Sequence, residues 1–182
     1  FEFKGCLVKR GKDTYLLQMY RLFDDRPREI YEREIILLRT VEGPNILKVY
    51  ETALTNDYFY KLTEPVVMTM EDYIAAKEDE IQKDDLGLLI KIVRAVEQIH
   101  QHKLVHAGLT AQTVYLTANM EPKISDFFNS MMQDKEGFSS GATLYMDPKF
   151  LSILDKPSSF NVKVDVYALG IILYRMTQDG RF

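Results

Sequence analysis

Along the first sixty residues the apolar and polar positions follow a strand-like rhythm, and beyond them apolar residues recur at helical spacing. Cys6, Leu7 and Val8, the turn-prone Arg10-Gly11-Lys12-Asp13 and the β-formers of Thr14 to Tyr20 predict a hairpin. After a break at Asp24 to Pro27, the spacing of Ile30, Glu34, Leu37, Leu38 and Val41 predicts a helix, which Gly43-Pro44 ends. Strands are predicted over Leu47 to Leu54 and Tyr58 to Thr63, on either side of Thr55-Asn56-Asp57. Past Glu64-Pro65 helices are predicted over Met68 to Lys77 and Asp84 to His102. The second carries an apolar stripe of Leu86, Leu89, Ile90, Val93, Val96 and His100. Short strands Thr113 to Leu116 and Lys123 to Ser125 follow, then a core helix, Val164 to Met176. The sum is an α+β fold: a small antiparallel sheet with one helix, followed by a mainly helical part.

Charge and chemistry narrow this frame. The chain has 182 residues, enough for one domain, and a formal net charge of -4 from 23 Lys and Arg against 27 Asp and Glu. That balance leaves no basic field, so neither nucleic acid nor a membrane is an expected partner. Val164 to Met176, interrupted by Asp165 and Arg175, is too short for a bilayer span. A lone cysteine, Cys6, forms no internal disulfide and suits a reducing compartment. A cytoplasmic location is therefore expected, with the cytoskeleton or another large assembly as the variant. His100, His102 and His106 lack the cysteines or clustered carboxylates of a zinc site. The charge runs 24–26, 77–80 and 83–85 read as solvated loop or helix ends. Phe1 as first residue suggests a segment of something longer.

Five segments in order then resemble the eukaryotic protein kinase family. Glu34 to Leu38 before Gly43-Pro44-Asn45-Ile46-Leu47 is similar to the end of the family's C-helix and the turn after it. His106-Ala107-Gly108-Leu109 resembles the catalytic loop, and Asp126-Phe127-Phe128 the Asp-Phe-Gly segment. Gly141 to Lys149 resembles the end of the activation segment, and Asp165 to Gly170 the start of the central C-lobe helix. The resemblance implies a two-lobe fold in one domain, 1–182: an N-lobe over 1–64, a hinge at 65–67 and a partial C-lobe over 68–182.

Position by position, the resemblance implies altered chemistry. Gln18 stands where the family has its phosphate-binding lysine, Gly108 where it has the catalytic aspartate, and Thr113 where it has a metal-binding asparagine. Without the lysine, Glu34 is expected to be solvated or locally hydrogen-bonded, and Asp126, the sole metal candidate, to cap a turn. Leu16 and Tyr115 match the roof and floor of the adenine slot and are bulkier than the family's residues, so the slot is expected to be filled core. Were a nucleotide to bind, Leu7, Leu16, Glu34, Glu64, Val66, Tyr115 and Asp126 would line its site. Val49, Leu38, Phe127 and His106 match the apolar stack that joins the lobes, and Asp165 the aspartate that holds the catalytic loop. Phe128 and Ala107, in place of a glycine and a phosphate-gripping arginine, imply a static activation segment that phosphorylation of Ser139, Ser140 or Thr143 would not grip. Lys149 reverses the sign of a family glutamate.

The expectation is therefore a catalytically inactive kinase-like domain, not an enzyme, that acts as a protein-binding or scaffold module without ATP, magnesium or other cofactor. The alternatives are an active Ser/Thr kinase with a cation recruited from Lys4 or Lys9, or a nucleotide-binding regulatory module without phosphotransfer; ATP and magnesium belong to those alone.

Overall fold

The computed structural model describes residues 3–22, 28–76, 83–133, 136–137, 143–151 and 158–177. Ser139, Ser140 and the charge runs 24–26 and 77–80 lie outside the described residues, as does the Lys4 side chain.

β1 (Phe3–Arg10) and β2 (Asp13–Arg21) form the hairpin, with Gly11 at φ +66° in its turn, a backbone region that glycine enters without a Cβ penalty. α1 (Arg28–Thr40) crosses behind, and β3 (Val49–Leu54) and β4 (Tyr58–Thr63) complete a sheet of order β1-β2-β4-β3. Alternation on β4 is complete: Phe59, Lys61 and Thr63 are buried while Tyr58, Tyr60 and Leu62 are half-buried on the outer face. A lysine on the inner face of a half-buried strand demands a partner.

The C-terminal part begins with β5 (Met68–Thr69), which pairs with β7 (Val114–Leu116). The helix predicted from Met68 thus starts two residues later as α2 (Met70–Ala75), because Met68 and Thr69 are held in a ladder. Thr69 caps it: its hydroxyl accepts from Asp72 N while Asp72 accepts from Thr69 N, a reciprocal capping box. α3 (Lys83–Gln101) buries Leu88, Ile92, Ala95, Val96 and Ile99. The predicted stripe is corrected here. Leu86, Ile90 and Val93 are 47%, 51% and 44% exposed, because a helix apolar on two sides offers two stripes and packing selected the other.

β6 (Leu104–Val105) pairs with β9 (Met131–Met132) and brackets the catalytic-loop segment; β8 (Pro122–Ile124) pairs with β7. β10 (Glu136–Gly137) pairs with β11 (Ser158–Ser159), and α4 (Pro148–Leu151) precedes α5 (Lys163–Thr177). One core cluster runs from Leu38, Val41 and Ile46 through Met70, Ile92, Ile99 and Phe127 to Ile172, so both parts share a continuous interior. Among the described residues no helix is long and apolar enough to cross a membrane.

Candidate functional site

The sheet, α1 and the Asp126-Phe127-Phe128 segment converge on one buried ammonium. Lys61 sits directly opposite Gln18 in the β2–β4 register, so both side chains enter the same interior. Its Nζ donates to Asp126 Oδ1 at 2.7 Å and to Glu34 Oε1 at 3.4 Å, and Lys61 and Glu34 are both fully buried. The Tyr20 hydroxyl also donates to Asp126 Oδ1, at 3.1 Å. The Tyr20 ring lies 4.8 Å from the ammonium and the Phe128 ring 5.3 Å, within cation–π reach.

Three expectations from the sequence are corrected. A cation is present although Gln18 is not one, and it comes from the neighbouring strand. Lys9 is exposed on β1. Glu34 is not solvated: it is the buried partner of Lys61. Asp126 forms no side-chain cap for the 3-10 turn Phe127–Asn129 that it precedes; its carboxylate is spent on Lys61 and Tyr20. Its own backbone lies in the left-handed region at φ 63°. The one signal that could have found Lys61 was β-alternation, which puts it between Phe59 and Thr63 on the buried face.

Two carboxylates share one ammonium, so the cluster carries one negative charge too many for a dry interior. Burial therefore pushes the Glu34 carboxyl up to about 7 against the pull of Lys61, while Asp126 and Glu34 hold the Lys61 ammonium above its ordinary value despite burial. Gln18 is fully buried, and its amide makes no hydrogen bond of normal geometry, although the Tyr115 hydroxyl is close enough to couple with it.

Tyr115 on β7 is 8% exposed, and its phenol is raised well above its usual range by burial and by nearby Asp126. It thus reaches across the cleft floor toward Asp126 and Tyr20. Leu16 is half-buried opposite Thr63, and Leu7 is 64% exposed. Glu64 accepts from Lys48 N at 2.8 Å and pairs with Lys123 at 2.9 Å, and Val66 is half-buried in the connection between the parts.

The catalytic-loop segment hangs from α5. Asp165, fully buried, accepts from His106 N at 2.8 Å and Ala107 N at 2.9 Å, and contacts His100 Nε2 at 2.8 Å. These bonds hold Ala107 at φ 55°, a conformation costly for a residue with a Cβ. His106 is buried and kept neutral by desolvation; Nε2 donates to Ser125 O at 3.0 Å and Nδ1 accepts from Gly108 N at 3.3 Å. Its ring meets that of Phe127 at 5.0 Å, with Leu38 buried and Val49 packed against the same core.

Thr113 accepts from Thr110 N at 2.9 Å and its hydroxyl donates to Thr110 O at 3.1 Å, so it is engaged by its own loop. Asp126, the sole metal candidate of the sequence, has its Oδ1 engaged by Lys61 and Tyr20. No group of three metal-ligating side chains occurs among the described residues.

Comparison with known proteins bears on the family and the fold. The sequence model of the family described as protein kinase domain matches residues 9–181. The carbon catabolite-derepressing protein kinase of Saccharomyces cerevisiae is 31% identical over 150 residues, 80% of this chain and 23% of that protein. The mouse serine/threonine-protein kinase SIK1 is 29% identical over 163 residues, 87% of this chain and 20% of its own length. The SNF1-like protein kinase ssp2 of Schizosaccharomyces pombe is 30% identical over 148 residues, 80% of this chain and 25% of that protein. The chain thus spans a fifth to a quarter of the curated relatives it matches. All three relatives carry the name of a protein kinase, and this overturns the expectation that the chain is not an enzyme. That expectation rested on Gln18, Gly108 and Thr113 together and did not weigh Lys61.

Proposed function

Since this chain belongs to the protein kinase domain family, we propose that it is the nucleotide-binding part of a protein serine/threonine kinase whose phosphate-directed cation has moved from β2 to β4, from position 18 to Lys61. The observation that carries this reading is the buried ammonium of Lys61 between Asp126 at 2.7 Å and Glu34 at 3.4 Å. A buried lysine is costly, and two carboxylates aimed at it restore the electrostatic arrangement that phosphoryl transfer asks of the protein. Gly108 supplies no general base. Because phosphoryl transfer depends mostly on positioning and charge neutralisation, that loss slows the reaction by roughly 10² to 10⁴ without abolishing it.

The test is a charge exchange in the full-length protein. Wild type should show a saturable rise in melting temperature with ATP, Lys61→Met should lose it, and Gln18→Lys combined with Lys61→Gln should regain it. An absent rise in wild type, or a rise that survives Lys61→Met, overturns the proposal.

A second reading, in which the domain serves as a docking platform for other proteins, is favoured by one observation. Tyr115 lies in the cleft against Gln18, Tyr20 and Asp126, so ATP must displace a well-packed side chain to enter. Under that reading ATP leaves the melting temperature unchanged while protein partners still bind.

A further inference from the structure

Where α1 runs on toward β3, the chain leaves a second space. A cavity of about 280 Å³ has Leu38, Val41, Ile46 and Val49 as its floor and the exposed residues Glu42 and Lys48 on its rim. None of Gln18, Glu34, Lys61 and Asp126 lines it, so it is distinct from the buried ammonium cluster.

The fold holds these walls in place before any ligand arrives. Leu47 N donates to Ile124 O and Ile124 N to Asn45 O, both at 2.8 Å, while Asn45 Nδ2 donates to Pro122 O at 2.9 Å. Lys48 N donates to the Glu64 carboxylate at 2.8 Å, and Glu64 N returns a bond to Lys48 O at 3.0 Å. On the other side the Gln98 amide donates to Glu42 O, and a Cβ on Gly43 would collide with that amide, so glycine lets α3 grip the loop. A ligand entering here has little backbone left to order. The rim charges are available as well. The Lys48 ammonium lies 5.0 Å from the centre of the Tyr50 ring, and among the described residues neither Lys48 nor Glu42 has an ion-pair partner.

We propose that this cavity binds a free aromatic amino acid, with the ring on the apolar floor, the carboxylate at Lys48 and the ammonium at Glu42. The volume is close to twice the roughly 150 Å³ of an apolar cavity that takes up benzene, so a fused ring of indole size has room. A floor of aliphatic side chains accepts a ring and rejects a charge. One acid and one base on the rim match a zwitterion, and they disfavour a ligand that carries either charge alone. Leu38, in the floor, stands one turn beyond Glu34 on the same face of α1, so the ligand rests on the helix that carries the partner of Lys61. The site requires no nucleotide and stands apart from the kinase reading.

The experiment is a calorimetric titration of the full-length protein with L-tryptophan, in which saturable binding with a Kd on the order of 0.1 to 1 mM is expected. N-acetyl-L-tryptophan lacks the ammonium and L-tryptophanamide lacks the carboxylate. Each should bind about twofold to fivefold more weakly, the range of an exposed ion pair, and L-alanine should not bind. Lys48→Met should erase the difference between L-tryptophan and its amide, and Glu42→Gln the difference between L-tryptophan and its N-acetyl derivative. Both residues are exposed, so these variants keep the fold. Val49→Phe should fill the cavity and abolish binding. No saturable heat up to about 10 mM L-tryptophan, ten times the weakest expected Kd, overturns the proposal. Unchanged binding in Val49→Phe does so too, as does binding of L-alanine. Equal affinity for N-acetyl-L-tryptophanamide, which carries neither charge, would assign the cavity to the side chain of a peptide and overturn the amino-acid reading. ATP takes no part in the titration, so its outcome is read independently of the nucleotide test.

Discussion

Lys61 and Gln18 face each other across one rung of the sheet, and the charge count around that rung sets what each residue tolerates. Burial raises Glu34 from 4.5 to about 7, with Lys61, Asp126 and the Phe127 backbone acting on it and Tyr20 nearby. A raised carboxyl keeps its proton in the folded chain after the unfolded chain has released it, so its contribution to stability falls as pH rises through 4.5 to 7. Lys61, raised above an already high value, loses its contribution only in strong alkali. Glu34→Gln should therefore gain on wild type by on the order of 3 kcal/mol between pH 4.5 and 7.5. Urea midpoints of both proteins across that range check this, and a constant gap between them would refute it. At Asp165, Ala would strand the His106 and Ala107 amides and release the strained φ of Ala107. The expected loss is about 2 to 4 kcal/mol, and an unchanged melting temperature would exclude it.

At the scale of elements, the 3-10 turn after Asp126 depends on aromatic packing more than on backbone. Phe128 stands where the family has glycine, and its ring joins Tyr20, Tyr31 and Phe59 in a separate buried cluster. Phe128→Ala should cost about 3 to 5 kcal/mol by emptying that cluster, and should loosen Asn129 as well. Hydrogen exchange of Ser130 N, which donates to Phe127 O at 2.9 Å, reports the loosening; protection equal to wild type would count against it. Thr69→Ala removes one half of the α2 capping box and should cost about 1 kcal/mol, read as a shift in urea midpoint.

Across the whole molecule, the cleft between the two parts is where volume and charge compete. Leu16→Ala with Tyr115→Leu should enlarge it and tighten binding of a fluorescent ATP analogue by roughly tenfold, about 1.4 kcal/mol. Equal or weaker binding would show that Tyr115 is not the obstruction. Local pattern determined much of this protein by itself: the hairpin, the helix that stops before Gly43, strand β4 and helix α5 follow from alternation, helical period and turn residues, which act between near neighbours. The order of partial motifs likewise carried the family, because each motif is contiguous. What the chain alone left undecided is what distant segments do to one another. The choice between two apolar stripes on α3 was made by packing against α5 and β8. Lys61 lies 27 residues from Glu34 and 65 from Asp126, and Asn129 comes to Gly108 from another loop. Aligned position by position, Gln18 and Gly108 read as losses, because a motif records which residue stands at a place in the chain. The interior is filled from every element around it, and only the tertiary structure set a buried lysine opposite Gln18 and an amide beside Gly108.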